Sequence, residues 1–202
     1  KVASCRPAVG GLANTNLIVD VVGQKRPVLL RLFVREPIAA LKEYAIYSLL
    51  DGSVPVPQLH FFSRENPVNG YPYMVMEYVQ AQTLDAAFVE GRDLKALGYS
   101  TGAVLASIHG HRFARSGFLD GGLQVCDQIN LGGAGLIAYA EQCLSYESAV
   151  VRLGESLAAK LVRFLASYAG LLDSVVADGS SFTHSDFGGS NILVSGDGRG
   201  WA

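Results

Sequence analysis

Apolar residues in this 202-residue chain fall into two regimes, short β-branched runs up to about residue 80 and helical spacing from Leu84 onward. The run Leu17-Ile18-Val19-Asp20-Val21-Val22, a turn at Gly23-Gln24 and the run Val28 to Val34 predict a β-hairpin behind a flexible small-residue loop, Gly10 to Asn16. Ile38, Leu41, Ala45 and Leu49 recur at helical spacing and Gly52 closes the stretch, which predicts a helix over 38–50. Val54-Pro55-Val56-Pro57 can only be extended, since each proline restricts itself and its predecessor. Gln58 to Ser63 and Tyr71 to Val79 complete an antiparallel sheet, with Asn66 to Gly70 as the turn between them. Beyond Leu84 the spacing predicts helices over 94–109, 135–147 and 153–176, the last with Leu157, Leu161, Phe164, Leu165, Tyr168 and Leu172 as its buried stripe. The glycine-rich stretch 117–135 is unpatterned and reads as a connector or a substrate loop, and no internal repeat is present.

This change of period divides the chain into a lobe over 1–80 and a helical lobe over 81–202. Half of the residues are apolar, enough for a core of one domain or two small lobes. The longest apolar region, 161–177, is interrupted by Arg163 and Asp173 and falls short of the roughly 20 apolar residues of a membrane span. Lys1 to Val9 lacks the pattern of a signal peptide. Cys5, Cys126 and Cys143 are an odd, scattered set without metal-ligand spacing, which suits reduced thiols in the cytoplasm. Residues 1–80 hold 8 bases and 6 acids, a balance of +2, whereas residues 81–202 hold 8 bases and 12 acids, a balance of −4. A faintly basic first lobe and an acidic second suit an anionic nucleotide and a cationic acceptor, and no basic patch interleaved with aromatics points to nucleic acid.

The densest chemistry lies in His184-Ser185-Asp186-Phe187-Gly188-Gly189-Ser190-Asn191, which runs into the apolar stretch Ile192-Leu193-Val194. A base and a metal ligand come from one loop: Asp186 to orient an attacking hydroxyl and Asn191 to hold Mg²⁺ by its amide oxygen, which is what phosphoryl transfer requires. His184 is expected to brace the loop, and His109 to cap its helix or lie in the core. Arg31 sits within an apolar strand, where a lone cation is costly, and so asks for a partner. Glu43 shares a helix stripe with Tyr47 and Leu50 and can be brought back onto the sheet to pair with it. Gly10 and Gly11 allow backbone N–H groups to approach phosphates, and the strand end at Met76-Glu77-Tyr78-Val79 offers the Glu77 carbonyl and the Val79 N–H to an adenine.

These segments, in this order, resemble the aminoglycoside phosphotransferase family of small-molecule kinases nearly end to end. The resemblance rests on Gly10-Gly11-Leu12-Ala13-Asn14, on Arg31 followed by Glu43, on Val54 to Pro57, on Met76 to Val79, on Ile108-His109 and on His184 to Asn191. It implies an α+β, bilobal, protein-kinase-like fold, with an N-terminal antiparallel sheet and one helix ahead of a mostly helical lobe. It also implies ATP and Mg²⁺ as cofactors, a small-molecule hydroxyl as acceptor, a monomer or homodimer, and a nucleotide contact at Asn14. The family often carries Lys where this chain has Arg31. Its second metal ligand is an Asp that follows the hairpin after the catalytic loop, and Asp197, in that hairpin's own turn, does not replace it. The expectation is therefore a further Asp beyond Ala202 and a chain that is incomplete there. Gly188 stands where protein kinases usually carry Lys, which favours a small-molecule acceptor over a peptide. The contrasting reading is a catalytically silent kinase-like module that binds a nucleotide or another ligand.

Overall fold

The computed structural model describes residues 1–8, 14–175, 180–196 and 200–201, with the long strands before residue 80 and all helices but one after it. In chain order the elements are β1 (Val2–Pro7), β2 (Thr15–Val21), β3 (Val28–Leu32), α1 (Ala39–Leu50), β4 (Leu59–Ser63), β5 (Tyr73–Glu77), β6 (Gln82–Thr83), α2 (Leu84–Val89), α3 (Leu94–His109), β7 (Arg112–Phe113), β8 (Gly117–Leu119) and β9 (Val125–Gln128). There follow α4 (Gly133–Ser145), α5 (Glu147–Leu153), α6 (Glu155–Ser167), α7 (Ala169–Val175), β10 (Ser180–Ser181), a 3-10 turn (Gly189–Asn191), β11 (Leu193–Val194) and β12 (Gly200–Trp201). The fold is α+β, with an N-terminal antiparallel sheet of five strands in the order β1-β2-β3-β5-β4. The chain separates into two units, one formed by Lys1–His111, Asp120–Gln124 and Ser181–Ala202, the other by Arg112–Leu119 and Val125–Ser180.

In the first unit, β5 alternates buried and half-buried residues, so that Met74 and Met76 project from one face and are fully enclosed with Phe33 and Ala40. Enclosing each of these large side chains contributes about 1.5–3 kcal/mol. Helix α1 lies on this face, but not by the stripe of Ile38, Leu41, Ala45 and Leu49. Ile38 is 85% exposed, whereas Ala40 and Leu50 are buried and Tyr47 packs against the methionines. The sheet-facing stripe is Ala40, Glu43, Tyr47 and Leu50, because α1 is apolar on more than one side and its period does not select a face. Leu50 and Val54 then join Val104 and Ile108 of α3 in a second cluster, and Ala87, Leu97 and Val194 form a third. The turn Asp120–Gln124 also belongs to this unit, and Gly121 packs so closely on Leu41 that a Cβ there would lie 2.8 Å from a leucine methyl.

Several expectations change. Strand β1 pairs with β2 although no apolar run announces it, since all six of its residues are exposed. The stretch 117–135 contains the hairpin β8–β9, whose turn Asp120 organises by accepting the Gly122 and Gln124 N–H groups at 2.8 and 2.9 Å. The helix expected over 153–176 is two, α6 and α7, broken at Tyr168, and Gly154, with φ +74°, a left-handed conformation that no helix continues through, separates α6 from α5, which ends at Leu153. The expected stripe is not buried, since Leu157, Leu161, Phe164 and Tyr168 are all exposed. The strand after the loop 184–191, β11, is paired on both sides, with β6 and with β12. Gly10, Gly11 and Asp197 lie outside the described residues.

Candidate active site

Two groups of residues in the first unit carry the expected chemistry. On the sheet, the hairpin register sets Asn16 of β2 opposite Arg31 of β3. The Arg31 Nε donates to Asn16 Oδ1 at 3.1 Å, and its Nη1 donates to Glu43 Oε1 on α1. The two charged side chains are 22% and 26% exposed, so the pair is shielded well enough to hold one geometry without the full cost of deep burial. Glu43 reaches the sheet because Ala40 and Leu50, on the same stripe, are the residues that α1 buries. Asn16 is a partner that the sequence reading passed over in favour of Asn14, which sits in the bend before β2. Counting the hairpin residues back from its turn pairs 16 with 31, and that is the signal that could have found it.

The second group is the loop, and its ends are fixed first. The Phe182 N–H donates to the His111 carbonyl at 2.8 Å, and Phe187 packs with Leu50, Val54, Val104 and Ile108. At the far end β11 pairs with β6, the Leu84 N–H donates to the Ile192 carbonyl at 2.8 Å, and Ile192 and Val194 are buried. The Arg92 guanidinium donates to the Ser195 carbonyl at 3.2 Å. Between these anchors Ser185 adopts φ +64°, a conformation unfavourable for a residue with a Cβ by about 1–3 kcal/mol and held by its surroundings. The Gly188 N–H closes onto the Asp186 carbonyl and the Asn191 N–H onto the Gly188 carbonyl, both at 2.9 Å.

Asp186 and Asn191 thereby meet. The Asn191 amide donates to the Asp186 carbonyl at 2.9 Å and to its Oδ2 at 2.8 Å. Since both partners are acceptors, the amide nitrogen faces them and Asn191 Oδ1 is turned to the other side. Both side chains are exposed. His184 does not join this pair. Its ring stands edge-on to Phe187 at 5.6 Å, and among the described residues its Nδ1 is buried without a hydrogen-bond partner. His109 is exposed in the last turn of α3, where Ile108 makes the contact with the Phe187 cluster.

Of the connector residues, Glu77 ends β5 opposite Val28, donates its N–H to the Gln58 carbonyl at 2.8 Å and accepts the Gln58 N–H on its carboxylate at 3.3 Å. Val79 lies beyond the strand, and its carbonyl accepts from the Ala81 N–H at 3.1 Å.

For a divalent cation, the loop supplies the Asn191 amide oxygen, and no cluster of three His, Cys, Asp or Glu forms among the described residues. Mg²⁺ accepts one or two protein oxygens where phosphates and water complete its shell, and the donor set fits that mode.

A family model described as the phosphotransferase enzyme family matches residues 4–201. The fold is similar to that of aminoglycoside phosphotransferase APH(4)-Ia, at 17% identity and a TM-score of 0.69 over 100% of this chain and 65% of that one. It is similar also to a thermostable mutant of that enzyme in a ternary complex with ADP and hygromycin B, at 18% identity and a TM-score of 0.69, again over 100% and 65%. A third similar structure is the GDP and kanamycin complex of APH(2")-IIIa, at 17% identity and a TM-score of 0.66 over 98% of this chain and 64% of that one. The chain spans about two thirds of the length of these structures. No curated protein matches it.

Proposed function

Since the chain belongs to the phosphotransferase enzyme family, we propose that it takes part in the transfer of the γ-phosphate of ATP to a hydroxyl of a small molecule, with 1–80 as the nucleotide-binding lobe and 81–202 as the helical lobe. The observation that carries this reading is the Asp186–Asn191 pair, in which the asparagine amide fixes one carboxylate oxygen and leaves the other to an acceptor hydroxyl. Asp186 accepts the hydroxyl's hydrogen bond, orients its oxygen toward the γ-phosphorus and takes its proton as the new oxygen–phosphorus bond forms and the bond from that phosphorus to the bridging oxygen breaks, releasing ADP. Arg31, held by Glu43 and Asn16, supplies a fixed cation for the nucleotide phosphates. Gly10, Gly11 and Asn14 cover those phosphates, and Glu77 and Val79 receive the base through their backbone groups. Mg²⁺ held by Asn191 would neutralise phosphate charge. His184 braces the loop through Phe187. The solved structures whose titles name ADP, GDP, hygromycin B and kanamycin support a nucleotide and a hydroxylated acceptor of this class. The free cysteines support a reducing, cytoplasmic setting.

The test is Asp186→Asn, assayed by ATP consumption against a panel of aminoglycosides, amino alcohols and sugars. Turnover is expected to fall by about 10²–10⁴-fold, with nucleotide affinity nearly unchanged. Turnover equal to that of the parent protein would remove Asp186 from the reaction.

A further inference from the structure

A cleft of about 440 Å³ opens beside α1, along the chain from Val56 to Phe62, and it contains none of the residues assigned above. Its apolar wall is aromatic: Tyr44 and Phe62 stack with ring centroids 4.6 Å apart and an 18° tilt, and Tyr47 is anchored by its hydroxyl 3.9 Å from the Met76 sulfur. Its rim is polar and unused, for the side chains of Asp51, Gln58 and His60 have no protein partner among the described residues. Asp51 is the one carboxylate on the cleft, and neither lysine nor arginine lines it. The lining strand β4 is an edge of the five-stranded sheet, so one side of its backbone has no strand beside it among the described residues.

We propose that this cleft is a binding site for a small organic cation with an aromatic or aliphatic body. The ammonium is set against Asp51 and the aromatic faces, both of which attract positive charge, and the body is laid on Tyr44 and Phe62. The volume lies within the range of small-molecule sites, and a few unpaired polar groups over an apolar floor are what orient such a ligand. An anion would meet Asp51 with neither lysine nor arginine on the cleft to balance it. The proposal stands on the cleft alone and does not depend on the phosphotransfer reading.

Three probes with one ring and different charges test it: 2-phenylethylammonium, 2-phenylethanol and phenylacetate, each titrated into the ¹⁵N-labelled protein while backbone amide shifts are followed. The ammonium is expected to give saturable shifts confined to residues 44–51 and 56–62, with a dissociation constant at least about tenfold below those of the other two. Asp51→Asn is expected to reduce it to the level of the alcohol, and Tyr44→Ala to weaken all three. Both residues are exposed, so the fold is retained and the amide spectrum outside the cleft reports it. Equal shifts for the three probes, no saturation below about 10 mM, or an ammonium affinity unchanged in Asp51→Asn would overturn the proposal.

Discussion

The segment from Phe182 to Val194 contains only a 3-10 turn and a two-residue strand, yet it is pinned through Phe182, Phe187, Ile192 and Val194. Helix α6, in the other unit, is thirteen residues of regular structure with the better segregated polar and apolar faces, and it buries none of them. Regular backbone hydrogen bonding and tertiary fixation are therefore separate properties. The irregular loop acquires its geometry from the elements around it, while the helix acquires its geometry from within and leaves its apolar stripe exposed.

That contrast breaks most visibly at two apolar residues of similar size. Ile108, enclosed at the end of α3, is expected to cost about 2–5 kcal/mol on truncation to Ala, through lost burial and the cavity left behind. Leu161 in α6 is expected to cost no more than about 0.5 kcal/mol, as a surface substitution does. Urea midpoints of the two variants decide it. If Leu161→Ala proves as costly as Ile108→Ala, the stripe of α6 is covered in solution and the contrast fails.

The Arg31 pair sharpens the same point for function. Glu43→Gln keeps the shape of the side chain and removes the charge that fixes Arg31, leaving Asn16 as its remaining partner. Turnover is expected to fall on the order of 10²-fold, the cost of a misplaced group, with the KM for nucleotide raised and thermal stability little changed. A KM equal to that of the parent protein would remove the phosphate role proposed for Arg31.

Within the loop the closest approach is at Gly189, where a Cβ would lie 1.9 Å from Asp85 Oδ1 and 2.7 Å from its Cγ. Gly189→Ala is expected to cost about 1–3 kcal/mol, as overpacking does, and to displace the turn that carries Asn191. The obstacle is a side chain, so Asp85→Ala in the same protein should restore most of the loss. Lack of rescue would place the strain in the backbone instead.

Much of this was legible in the sequence, and the exceptions share a cause. The hairpin β2–β3, helix α3 and the meeting of Asp186 with Asn191 follow from local spacing, where neighbours in sequence settle the geometry. The face of α1, the exposure of α6 and the break at Gly154 depend on what lies across from each helix or on one backbone angle, and periodicity encodes neither. Asn16 falls between these cases. Its role was implicit in the hairpin register, which places residues across a ladder although they lie fifteen apart in the chain.

The smallest effect belongs to a second arginine–carboxylate pair on the same sheet. Asp20 of β2 accepts from the Ser4 hydroxyl and, at 2.9 Å, from Arg6, both on β1, but here the charged side chains are 52% and 39% exposed. The Ser4 hydrogen bond, opposed by partial desolvation and aided by Arg6, holds the Asp20 carboxyl below the usual carboxylate range. A carboxyl lowered in the folded protein stabilises it above the unfolded value of about 3.9, and that contribution disappears as the pH falls through the folded value. Asp20→Asn should therefore be slightly less stable than the parent at neutral pH, with the difference shrinking in acid and in high salt, where exposed pairs are screened. Urea midpoints between pH 7 and pH 3 would show it. A difference that persisted in acid would mean that Asp20 holds β1 by shape and hydrogen bonding alone, and the contrast between the shielded and the exposed arginine would then be one of packing rather than of charge.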